Sequence, residues 1–304
     1  MMARGRDADR SAAGLGATGL AVAVFVAVMF AANVVAMKVV VDASSPLLSV
    51  ALRMAAVLLF CLPALRPVAG RNAMLAIYGF LNGGLFLVLM NVALAMATNV
   101  GPLAIAGQLG VPFSLLLGAL IFRERLSVRR TMGVALAFAG VAALVFDPHI
   151  ASEIPAVLVM AVAAMTWGGA TLLQRRLSGI SVMNIQAWNG LMGAAVLLPV
   201  ALVRESGELG RLADIGWEPI GWFAFSVIGS TVAGQGALAW LLQRHPISSV
   251  MPLLLASPVM ATVFASLYFG TRITPVMIAG GLLALVGVAM IVLMKDKAVS
   301  SSRT

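Results

Sequence analysis

Ala93-Leu94-Ala95-Met96-Ala97-Thr98-Asn99-Val100-Gly101-Pro102 is matched further along the chain by Ala237-Leu238-Ala239-Trp240-Leu241-Leu242-Gln243-Arg244-His245-Pro246. Both stretches run Ala-Leu-Ala-(Met/Trp), then five residues, then proline. Just upstream, Asn91 aligns with Gln235. Downstream, Gly133 and Gly140 match Gly280 and Gly287 at the same spacing, and Gly140-Val141-Ala142 recurs as Gly287-Val288-Ala289. Upstream again, Phe30 and Lys38 align with Trp167 and Arg175. The offset grows from 137 to 144 to 147, and the extra residues fit a longer connection at 204–218. Self-similarity in one constant order marks an internal duplication.

The repeated unit is apolar. Of 304 residues, 62% are hydrophobic and 10% charged, against roughly 45–50% apolar and about 25% charged in a soluble domain. A water-soluble fold of this length could not hide so much apolar surface, whereas lipid makes an apolar exterior cost nothing. Runs near 20 apolar residues are read as spans. They fall at about 15–40, 46–65, 73–96, 102–122, 127–146, 155–175, 182–203, 219–241, 246–268 and 275–294. Pro46, Pro102, Pro155, Pro219, Pro246 and Pro275 sit at span starts, where a missing N–H is no loss. The runs lack the alternation of a membrane barrel. The fold expected is an all-α membrane protein of ten transmembrane helices.

Five spans is an odd number, so the second copy enters the membrane upside down. The sequence therefore predicts two inverted repeats, residues 1–150 and 151–304, forming one membrane domain. Inverted repeats build carriers with a substrate site near the midplane, between the halves. If the N-terminus is cytoplasmic, fifteen of the twenty Lys and Arg residues fall on the inner side and four outside, with Arg53 inside a span. That bias predicts that both termini are cytoplasmic. The basic residues sit between apolar runs and form no groove-lining patch, so the net charge of +9 does not indicate nucleic acid. The single cysteine, Cys61, allows neither an internal disulfide nor a cysteine metal site. Neither a metal nor a cofactor is expected. The first fourteen residues read as a short soluble tail.

Glu124-Arg125-Leu126-Ser127 followed by Gly133, with the Ala-Leu-Ala…Pro step before it, resembles the repeat ending of the drug/metabolite transporter superfamily, in particular its EamA-type ten-helix members. The resemblance covers about 20–294, and the subgroup it is most similar to is that of bacterial aromatic amino acid exporters. The second half departs from the pattern, since Thr271 stands where the acidic residue is expected. The resemblance implies a basket of two inverted five-helix repeats. It also implies a central cavity lined by helices 1, 3, 4, 6, 8 and 9, and export of amino acids or related metabolites across a bacterial inner membrane. The protein would act as a monomer or weak dimer on a small-molecule substrate.

No acidic residue lies within an expected span. Membrane carboxylates usually mark proton relays, so facilitated diffusion or exchange is expected. Uncharged polar residues do lie within spans, among them Asn33, Asn82, Asn91, Gln108, Gln174, Gln186, Asn189 and Gln235. Such groups either glue helices together or serve function. Asn33, Asn82, Asn91, Gln108 and Gln235 lie where the resemblance puts the cavity, and would suit a zwitterion as uncharged donors and acceptors. Lys38 either snorkels to headgroups or guides a substrate carboxylate. Arg53, seven residues into the second span, reads as snorkelling rather than substrate contact. Trp167, Tyr78 and Trp240 are aromatic candidates for the site, and Trp167 could stack on a flat substrate. The seventh span, with Trp188 and Asn189, is expected at the periphery. Pro112 interrupts the fourth span, and Pro252 and Pro258 the ninth, as candidate hinges. Glycines 79, 83, 84 and 229, 234, 236 allow close backbone contact beside them.

A membrane enzyme is the rival class. The chain has no HExxH or P-loop pattern, and both histidines fall in connections. A channel would want an oligomeric ring of polar residues, and a twofold repeat in one chain suits a carrier better. A drug or other-metabolite exporter of the same fold is the nearer alternative.

Overall fold

Long runs without charge form helices because lipid offers no partner for a bare amide or carbonyl. The computed structural model describes residues 16–123, 126–210, 214–245 and 247–293, apart from the side chains of Arg175, Ala239, Gln243, Ile247, Ser248, Met251 and Pro252. The charged tails, Glu124, Arg125 and Pro246 lie outside the described residues. Among the described residues there is helix and no strand. The rods are α1 (Ala17–Ala43), α2 (Pro46–Cys61), α3 (Asn72–Met96), α4 (Gly101–Phe122), α5 (Val128–Leu144), α6 (Ile154–Arg176) and α7 (Val182–Arg204). They continue as α8 (Trp217–Ala224, Phe225–Gly234 and Gln235–Arg244), α9 (Ile247–Leu254), α10 (Ala256–Phe269) and α11 (Pro275–Leu293).

Among the described residues, eight helices are long and apolar enough to cross a membrane: α1, α2 with the 3-10 turn that extends it to Ala64, α3, α4, α6, α7, α8 and α11. The other two expected spans coincide with α5, 17 residues long, and with α9 followed by the 14-residue α10. Large apolar side chains cover the outside. Leu120, Val203 and Leu267 are each more than three-quarters exposed, as a lipid-facing surface requires.

The proline expectation is met at Pro46, Pro102, Pro155 and Pro275, each in the first turn of its helix. Acidic side chains from other connections close these starts. Glu205, at the end of α7, accepts from the Ser45 hydroxyl at 2.5 Å and from the Leu48 amide at 2.8 Å, at the head of α2. Buried Glu153 accepts from the amides of Thr98 and Asn99 ahead of α4. Asp147 accepts from the Thr274 hydroxyl at 2.5 Å, and that oxygen in turn takes the Met277 amide of α11. Orphan amides and the positive end of the helix dipole favour a carboxylate at each place.

Apolar attraction between helices is weak in lipid, so close packing holds them together. α5 meets α11 through Gly133, Gly140, Gly280 and Gly287. A Cβ added at Gly287 would lie 2.5 Å from the Gly133 carbonyl oxygen, and one at Gly280 would lie 2.5 Å from that of Gly140. α7 meets α2 and α3 through Gly190 and Gly193. A Cβ at Gly190 would lie 2.6 Å from the Leu58 nitrogen, and one at Gly193 would lie 2.6 Å from the Gly83 oxygen. This contact draws α7 inward, and its expected peripheral place is corrected below.

Two helices depart from α geometry at matching positions. α3 turns π-helical over Phe80–Phe86 and α8 over Phe225–Gly234. α4 tightens to a 3-10 turn at Gly107–Leu109, just before Pro112. The break at Leu255 between α9 and α10 likewise falls just before Pro258. A proline clashes with the carbonyl four residues back, which accounts for both breaks. Two left-handed residues end the corresponding rods: Arg123 (φ 54°) after α4 and Gly270 (φ 67°) after α10.

Candidate functional site

The irregular stretches of α3, α4 and α8, with the first turns of α10, border a cavity of about 430 Å³. That volume falls in the range of small-molecule sites, about 300–1,000 Å³. π-Helical turns recur at functional sites because they leave backbone groups out of the regular ladder and re-aim side chains. Here they place Asn82 from α3 and Ser230 and Thr231 from α8 on the cavity wall.

Of the residues expected from sequence, Asn33, Asn82, Gln108, Trp167 and Gln235 line this cavity together. The Asn33 amide oxygen accepts from the buried Ser226 hydroxyl at 2.9 Å, which ties α1 to the π segment of α8. Trp167 lies against the backbone of α4, where Gly110 has no side chain to hold it off. A Cβ there would sit 2.5 Å from the ring carbon Cε3. Pro258 also lines the cavity, and with Gln108 it borders a second, apolar recess between α4, α10 and α11.

Four expected site residues lie elsewhere. Buried Lys38 donates to Asp42 one turn on, at 2.6 Å, and so has its counter-ion on its own helix. Buried Asn91 donates to the Ser49 hydroxyl at 2.8 Å and joins α3 to α2. Tyr78 is buried with Leu75, Ala170, Leu177 and Ile185. Trp240 packs beside α1, with the Arg244 guanidinium 4.5 Å above its ring. Among the hinge candidates, Pro112 is buried in α4. Pro252 belongs to α9, and its side chain lies outside the described part.

The cavity also takes residues that sequence reasoning placed elsewhere. Gln186 and Asn189 of α7 line it, because the Gly190 and Gly193 contacts seat that helix against α2 and α3. The Asn189-Gly190 pair, with Gly193 one turn on, was the available signal. Arg53 of α2 does not reach out to an interface. It lines the cavity, and its Nη2 donates to the Thr231 hydroxyl at 3.3 Å. Glycine packing of α2 on α7 sets the rotation that turns Arg53 inward, a relation between helices that no single segment reveals.

The EamA-like transporter family model matches residues 17–146 and 154–293. A probable amino-acid metabolite efflux pump of Salmonella typhimurium is 28% identical over 279 residues, covering 87% of this chain and 91% of that protein. A protein of the same description from Escherichia coli is 26% identical with the same coverage. A solved crystal structure resembles the chain at a TM-score of 0.56 and 19% identity, covering 91% of this chain and 96% of that one. That likeness concerns the fold alone.

Proposed function

Since this chain belongs to the EamA-like transporter family, and is thus a multi-pass membrane transporter, we propose that it exports neutral or aromatic amino acids, or closely related metabolites, across a bacterial inner membrane. The observation that carries the reading is the mid-helix cavity. Its wall brings the amides of Asn33, Asn82, Gln108 and Gln235 together with the Trp167 ring. Amides offer donors and acceptors without net charge, and the indole offers a flat apolar face. That combination fits a small zwitterion carrying an apolar side chain. The two bacterial relatives described as probable amino-acid metabolite efflux pumps support the same class.

The carrier architecture proposed is ten crossings in two inverted five-helix repeats, 1–150 and 151–304, with both termini cytoplasmic. α5 serves as the fifth crossing and α9 with α10 as the ninth. Support comes from the paired π segments in α3 and α8, and from the paired breaks before Pro112 and Pro258. Alternating access would bend the molecule at these breaks, where ladder bonds are already missing. Among the described lining residues none is acidic, which supports facilitation or exchange rather than a carboxylate proton relay.

Counterflow in proteoliposomes loaded with radiolabelled phenylalanine or threonine tests the reading. Saturable, trans-stimulated exchange of amino acids but not sugars is expected of the carrier. Flux without trans-stimulation would indicate a channel. Exchange of other organic compounds with amino acids inert would move the substrate class to drugs or other metabolites. Uphill uptake driven by an imposed pH gradient alone would overturn facilitation and exchange.

A further inference from the structure

Arg53 is the one charged residue among the described residues lining the cavity. Its guanidinium is held at one corner only, by the Nη2 bond to Thr231. That hydroxyl donates onward to the Ser226 carbonyl at 3.1 Å, which fixes its orientation within the π segment. The Nε and Nη1 atoms are shielded from solvent and have no partner among the described residues. Guanidinium does not deprotonate in proteins, and a buried cation without a counter-charge costs several kcal/mol. A role in joining α2 to α8 would need only the Thr231 contact and would leave that cost unexplained. A second orphan faces the same space. Asn189 donates to Gln186 at 2.7 Å and its side chain lies beside the buried Tyr78 hydroxyl, while its Oδ1 is buried and accepts no hydrogen bond among the described residues. The cavity therefore holds spare cationic donors and a spare neutral acceptor.

We propose that Arg53 is the anion anchor of the cavity and takes the carboxylate of the transported molecule, while Asn189 Oδ1 accepts from its ammonium group. The inference rests on the central cavity being the substrate site, and it narrows the substrate to carboxylate-bearing molecules. Charge-assisted bonds from guanidinium to carboxylate are short and directional. A substrate without a carboxylate leaves the Arg53 charge unanswered, so its amide or ester analogue is rejected. The empty carrier carries that same uncompensated charge, so the loaded form is the one that occludes readily, and this favours exchange over net flux.

The test measures binding to the purified full chain in nanodiscs, by thermal shift, with three probes: L-phenylalanine, 3-phenylpropionate and L-phenylalaninamide. Wild type is expected to bind the two carboxylates at least about tenfold more tightly than the amide, since hydrogen bonds to charged groups are worth about 1.5–3 kcal/mol. Arg53→Gln should lose about tenfold or more for both carboxylates and leave the amide unchanged, and Arg53→Lys should recover part of the loss. Asn189→Leu should weaken phenylalanine and spare phenylpropionate. The wild-type series carries the test even if a variant does not fold. Equal binding of acid and amide, carboxylate binding retained in Arg53→Gln, or no binding of any probe overturns the proposal. If phenylpropionate binds through Arg53 while amino acid counterflow is absent, the anchor stands and the amino acid reading falls. If counterflow persists in Arg53→Gln, the reverse holds.

Discussion

Gly110→Ala probes how the Trp167 wall of the cavity is built. The new methyl carbon would lie 2.5 Å from Trp167 Cε3 and 3.0 Å from Cζ3, where ordinary contact begins at 3.4 Å. The ring must therefore retreat by ~0.9 Å, or α4 must move away from α6 by as much, and overpacking of this kind costs about 1–3 kcal/mol. α6, which carries the indole, is itself packed closely on α4 and has little room to shift. A Cβ at Gly168, the neighbour of Trp167 in the chain, would lie 2.8 Å from the Ser114 nitrogen. The ring therefore yields into the cavity, at the expense of the 430 Å³ available to substrate. In purified protein the thermal midpoint should fall, by roughly 2–4 °C per kcal/mol on the scale of 150–250-residue domains. In counterflow, the half-saturation concentration for phenylalanine should rise. Adding Trp167→Phe makes room for the methyl, and the double variant should be more stable than the sum of the singles predicts, by about 1 kcal/mol or more. Additive behaviour, with unchanged half-saturation in Gly110→Ala, would refute the placement of the indole against α4.

Glu205→Gln removes the charge that closes the head of α2, while Ser45 and the Leu48 amide keep a neutral acceptor. A loss of about 0.5–2 kcal/mol in thermal unfolding is expected. Asn91→Ala should lower stability by about 1 kcal/mol through the lost Ser49 bond and leave substrate half-saturation unchanged, whereas Asn82→Ala should raise half-saturation with little change in stability. For Asp147, the Thr274 hydroxyl first, then the His149 amide and ring, hold the carboxyl below its ordinary value of 3.8. A depressed carboxyl contributes stability above that value and loses it as the pH falls through its folded value. Asp147→Asn should therefore unfold at lower temperature at neutral pH, and should lose the part of wild type's acid destabilisation that sets in below about pH 4.

Helix positions were legible because lipid imposes one rule on every span, and Pro46, Pro102, Pro155 and Pro275 mark the starts. The π segments were not legible. Their register shift falls where Gly83 and Gly234 let neighbouring helices press in, and a glycine pair alone does not specify five-residue bonding. Asn33, Asn82, Gln108, Trp167 and Gln235 could be placed on the wall because a polar or aromatic group in mid-span has few other places to go. Lys38 had its partner in plain sight, since Asp42 stands four residues on along the same helix face. Asn91 needed the register of α3 against α2 before Ser49 could be seen opposite it. Arg53 and Asn189 escaped for the same reason, since helix rotation is set by glycine contacts between segments far apart in sequence.

The central claim is that the cavity is the substrate's own site and opens to both sides in turn. A cysteine placed at Asn82, in a chain whose single natural cysteine has been replaced (Cys61→Ala), tests it through labelling by an impermeant thiol reagent. The account predicts labelling from either face of oriented vesicles, slowed severalfold by saturating phenylalanine, with a cysteine at Asn91 indifferent to substrate. Labelling of the Asn82 position at a rate that saturating substrate leaves unchanged would contradict it.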